Sequence, residues 1–79
     1  MKKITDLSYP FCNVSIFEWN NKYLIKFETN QLEQTYKISK FDIADVEELK
    51  KIMDDPFLEE VKENFIKMNE LLAKSIARL

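Results

Sequence analysis

Glycine and histidine are both absent from this 79-residue chain, and cysteine occurs once, at Cys12. Each absence removes a class of function. Without glycine there is no P-loop, dinucleotide fingerprint or phosphate-cradling loop, all of which need backbone that closely approaches a ligand. Without histidine, the usual zinc ligand sets and the ordinary base for a cysteine nucleophile are missing. A single cysteine cannot close an internal disulfide and fits a reducing compartment. No apolar run approaches the roughly 18 residues of a membrane span. The opening MKKITDLSYP lacks the continuous apolar stretch of a secretory signal. The expectation is a cytoplasmic protein with no membrane association and no enzymatic activity. No residue is assigned a catalytic, cofactor-binding or metal-binding role.

A single domain spanning residues 1–79 lies near the lower size limit for unaided folding. Such domains gain stability from disulfides, metals or self-association, and the first two lack ligands here. The net charge of −2 supplies no bulk attraction to nucleic acid or anionic lipid. The charge is unevenly spread, however. Residues 1–41 carry six lysines against Asp6, Glu18, Glu28 and Glu33, and the remainder carries ten acids against six bases.

Three runs, FCNVSIFEW, KYLIKFET and LEQTYKI, are rich in β-branched and aromatic residues and read as strands. Asn20-Asn21 suits a type I′ hairpin loop, because asparagine tolerates positive φ better than other non-glycine residues. Counting from that loop sets Phe17 opposite Leu24, Ile16 opposite Ile25 and Val14 opposite Phe27. One face then carries Cys12, Val14, Ile16, Tyr23, Ile25 and Phe27. A second loop at Asn30-Gln31 adds Leu32, Gln34, Tyr36 and Ile38 to it, while placing Glu28 opposite Glu33. Residues 1–10 read as a loosely ordered arm.

Two helices follow. The first has Asp42 as its expected N-cap and Phe41 as a staple against Val46, with Val46, Leu49 and Met53 on one stripe. The second has Asp55 as its expected cap and Pro56 in the first position. The carboxylates Asp54, Asp55, Glu59 and Glu60 read as a capping cluster rather than a cation site. The predicted fold class is α+β: a three-stranded antiparallel meander followed by two helices on one face of the sheet (βββαα).

Two surfaces attract a functional reading. The outer sheet face assembles Phe17, Trp19, Lys22, Leu24 and Lys26, the make-up of a protein-contact patch for an unidentified partner. The alternative is single-stranded nucleic acid, which aromatics interleaved with lysines bind by base stacking. The other surface is the last helix. From Pro56 to Leu79 it would be about 36 Å long, against about 23 Å for a seven-residue strand. Its end, with Leu71, Leu72, Ile76 and Leu79, should overhang the sheet and pair with a second copy in a homodimer. The leading expectation is therefore a small, self-associating protein-interaction module.

Overall fold

The computed structural model describes residues 1–79. It holds four strands, β1 (Lys2–Tyr9), β2 (Cys12–Trp19), β3 (Lys22–Glu28) and β4 (Glu33–Ser39), followed by α1 (Val46–Ile52) and α2 (Asp55–Ala77). The strands form one antiparallel sheet in the order β1-β2-β3-β4. The fold is thus α+β, with four strands where the sequence pattern shows three.

The extra strand is the opening segment. Leu7 pairs with Val14 and Tyr9 with Cys12, so both point toward the core. A register shift between Lys3 and Thr5 breaks the alternation at Ile4. That bulge, with Thr5, Asp6 and Ser8 interspersed, hides the two-residue period that would mark a strand. Lysines and a bulge on an edge also discourage pairing with another chain.

The β2–β3 hairpin follows the expected register. Asn20 and Asn21 have φ of 55° and 60°, the only positive values in the chain. Phe17 pairs with Leu24, Ile16 with Ile25 and Val14 with Phe27. The next hairpin also matches, with Glu28 opposite Glu33. Lys26 Nζ approaches Glu33 Oε2 at 3.5 Å and offsets that like-charge pairing.

The inner face is buried under the helices. Val14, Ile16, Ile25, Phe27, Leu49 and Val61 are almost wholly removed from water, and Cys12, Tyr23, Ile43, Met53 and Phe65 complete the core. Phe57 of α2 packs against Phe27 and Tyr36 with ring centroids 6.0 and 5.5 Å away. Gln34, the one amide on this face, donates from Nε2 to the Val61 carbonyl at 3.0 Å and accepts from the Tyr36 hydroxyl at 2.9 Å. It fastens α2 to β4 and leaves no buried side-chain polar atom unpaired.

Both helix starts lie further along or back than expected. Asp45, not Asp42, caps α1: its carboxylate accepts from Glu48 N at 2.9 Å, and Glu48 reaches back to Ala44 N at 2.8 Å. Residues 39–42 form a turn instead, with Asp42 N donating to the Ser39 carbonyl. Ile43 takes the buried position, so Phe41 projects into solvent and staples nothing. For α2 the cap is Asp54, which accepts from Phe57 N at 3.0 Å; Asp55 and Pro56 fall in its first turn.

Replacing both Asn20 and Asn21 by valine should destabilise the fold by about 1–3 kcal/mol, since a β-branched residue resists positive φ. Asn21→Gly should be neutral or slightly stabilising. Urea unfolding of the three proteins measures both effects.

Candidate interaction surfaces

The level at which α2 meets the sheet decides which of its residues are covered. Phe57 lies beside Tyr36, Val61 beside Gln34, and Phe65 lines a groove with Leu32. The helix therefore begins at mid-sheet and advances toward the β3–β4 turn. About four residues of helix match two of strand, roughly 6 Å in each case. By Met68 the sheet is exhausted.

From Asn69 onward every side chain except that of Ser75 is exposed. Leu71, Leu72, Ile76 and Leu79 all lie in this projecting part, and even Leu72, on the sheet-facing stripe, is 39% exposed. The projection gives the molecule its long axis of 45 Å against 26 and 20 Å. Where the helix leaves the sheet, Phe11, Leu32, Phe65 and Ile66 line an open groove of about 440 Å³. Phe11, which in sequence opens the strand-like run FCNVSIFEW, lies instead in the β1–β2 turn and joins the groove from there.

The outer sheet face is different in kind. Leu24 is only 7% exposed, yet it does not belong to the main core. Phe17, its cross-strand partner, is half-buried, and Lys3 Nζ lies 5.9 Å from the Phe17 ring centroid. The edge strand β1 thus places its own lysine over the aromatic that a base or a partner would need. Lys26 is engaged with Glu33, and Lys3 with Asp6 at 3.1 Å. Trp19 and Lys22, at the hairpin tip, remain open, as does Lys37 on β4. Of the five residues expected to share a contact surface, Phe17 and Leu24 pair across β2 and β3, Lys26 is drawn to Glu33, and Trp19 and Lys22 stay exposed at the hairpin tip.

Asp6 ties β1 to β2. Its carboxylate accepts from Lys3 Nζ at 3.2 Å and from Ser15 Oγ at 2.9 Å. These hydrogen bonds, Lys3 first and Ser15 second, hold the Asp6 carboxyl below its ordinary range. On the inner face, burial pushes the Cys12 thiol up and keeps it protonated. No three His, Cys, Asp or Glu side chains converge as metal ligands would. No helix is long and apolar enough to cross a membrane. Compared with known proteins, the chain matches no family model, no curated protein and no solved structure.

Leu24→Ala should destabilise the protein by about 2–3 kcal/mol despite lying on the outer face, whereas Trp19→Ala should change stability by less than about 0.5 kcal/mol. Thermal or urea unfolding distinguishes the two. For Asp6 the folded carboxyl titrates lower than the unfolded one, so its contribution is complete above the unfolded pKa. That contribution is lost as pH falls through the folded value, in the acid range below about pH 4. Carboxyl NMR titration should show a depressed Asp6 midpoint, raised by Ser15→Ala and raised further by Lys3→Met.

Proposed function

We propose that this chain is a non-catalytic, cytoplasmic interaction module that self-associates through the projecting end of α2. The observation that carries this reading is the overhang itself. Four large apolar side chains extend past the sheet, and no other segment of the chain packs over them. The opening residues are not free to fold back over them, because they form β1. Each large side chain left wet forfeits about 1.5–3 kcal/mol of available burial.

A second copy suits the surface better than an unrelated chain because of how charge runs along α2. Its first half carries Asp55, Glu59, Glu60 and Glu63 against Lys62 alone, and its last third, with the capping Arg78, carries Lys74 against Glu70. Antiparallel packing about a two-fold axis sets the basic end of each helix toward the acidic body of the other. It also opposes the two helix dipoles. Ala73 and Ala77 permit close approach, and the groove beside Phe11 and Phe65 receives the incoming leucines.

In sedimentation velocity at micromolar concentration the protein should run as a dimer. Leu72→Glu combined with Ile76→Glu should yield a folded monomer of lower stability. A monomer throughout the concentration range, with rapid amide exchange from Leu71 onward, would reject self-association in favour of a solvated tail.

A further inference from the structure

The sheet has two open edges, and they are unlike. β1 and β4 each pair on one side only. The β1 edge is guarded, because it starts with two lysines and is broken by the bulge between Lys3 and Thr5. β4 has neither bulge nor proline, and its seven residues pair with β3 in unbroken register. A straight, regular edge offers its row of unpaired backbone groups to another strand.

The ladder decides which groups are unpaired. Lys40 N donates to the Asn21 carbonyl at 3.1 Å, and an antiparallel strand turns its backbone groups toward one neighbour at every second residue. Gln34, Tyr36 and Ile38 therefore direct their N–H and carbonyl to β3, opposite Phe27, Ile25 and Tyr23. Those of Glu33, Thr35 and Lys37 point away from the sheet. No turn and no side chain hydrogen-bonds to them. All three residues are exposed.

The geometry points to this edge as a pairing site for β4 of a second copy, running antiparallel about a two-fold axis at Thr35. Glu33 then faces the partner's Lys37, and Lys37 faces the partner's Glu33, on either side of a Thr35 pair. The pairs at these three positions are the hydrogen-bonded kind, so every outward backbone group is satisfied. Moving the axis to Tyr36 would set both charges against neutral residues, Thr35 and Ser39. Lys37 has no ion pair within its own chain. Glu33 holds Lys26 on Oε2 at 3.5 Å, which leaves Oε1, beside the Thr35 hydroxyl, for a second cation. A strand from another protein would have to bring this charge pattern, whereas β4 carries its own complement.

This contact is separate from the projecting end of α2 and is the weaker of the two. Asn64, whose Nδ2 reaches Gln34 Oε1 at 3.5 Å, and Glu60 one turn earlier stand exposed above the edge. They add little apolar burial, and the two copies of Glu60 approach each other near the axis. Affinity rests on backbone hydrogen bonds and two ion pairs, so the edge pairs only at high local concentration. Chains already joined through α2 supply that condition and link into longer arrays.

The test is amide exchange on the full chain, read by NMR at about 50 μM and at roughly 1 mM. Exchange at Glu33, Thr35 and Lys37 should slow on the order of tenfold at the higher concentration. Thr35→Pro keeps the β3–β4 ladder, because the N–H it removes points outward, and circular dichroism checks its fold. It should raise the dissociation constant of this contact on the order of tenfold, measured by sedimentation in the Leu72→Glu, Ile76→Glu background. In the same background Lys37→Glu and Glu33→Lys should each weaken association. An equal mixture of the two should restore it, since every charge then meets its opposite. Rapid exchange at all three amides at the higher concentration would overturn the proposal, as would a mixture no more associated than its components. Protection confined to β1 would also overturn it. A parent chain that is monomeric at micromolar concentration, yet protects these amides when concentrated, would support the edge and reject the α2 contact alone.

Discussion

Two consecutive left-handed residues govern the rest of this structure. Asn20 and Asn21 close β2 onto β3 with no spare residue, and a strand displaced by one position turns every side chain to the opposite face. The same count sends Val14, Ile16, Ile25 and Phe27 inward and Phe17 and Leu24 outward. In a chain without glycine, asparagine is the residue left to carry that backbone geometry. The core, the outer cluster and the position of Trp19 at the tip all descend from it.

The second determinant is the level at which α2 joins the sheet. Phe57 is drawn into the aromatic group with Phe27 and Tyr36, and Gln34 clasps Val61 one turn later. Together they anchor the helix at mid-sheet. The remainder of the inner face is left to Ile43, Leu49 and Met53, on α1 and the segments flanking it. A helix begun halfway along a short sheet must leave it early. The overhang is thus a consequence of where the anchor lies, more than of helix length alone. The resulting molecule has two unlike ends, one the projecting end of α2 and the other the β2–β3 hairpin tip with its exposed Trp19 and nearby Phe41.

The parts legible in the sequence are those with a strong period or a distinctive turn. Alternation across β2, β3 and β4 together with Asn20-Asn21 specifies register, and the three- and four-residue spacing of Leu58, Val61, Phe65 and Met68 marks the covered face of α2. β1 was illegible for a physical reason: its bulge at Ile4 shifts the phase, and its outward Asp6 and Ser8 resemble loop residues. Asp42 and Asp45 compete as caps on chemistry alone. The winner is decided by Ile43, which must reach the core, and by Glu48, which closes the bond to Ala44. The outer cluster divides because a strand that did not show in the pattern contributes Lys3. Phe41 reads as a staple on spacing alone, and its exposure follows from Ile43 taking the buried position.

The strand order carries a further consequence, for the route by which the chain reaches this structure. Every strand pairs only with its neighbour in sequence, and the connections between them are short. Loop closure of that length costs little entropy, so no distant segments have to find each other before the sheet gains stability. The β2–β3 hairpin, with its preset turn and facing Ile16–Ile25 and Val14–Phe27 pairs, is the natural nucleus. β1 and β4 can then add on either side in no fixed order. α2, whose anchoring residues need both β3 and β4 in place, docks late. A core substitution in the hairpin such as Ile25→Val should act chiefly on the folding rate, and one in Phe57 or Val61 chiefly on the unfolding rate.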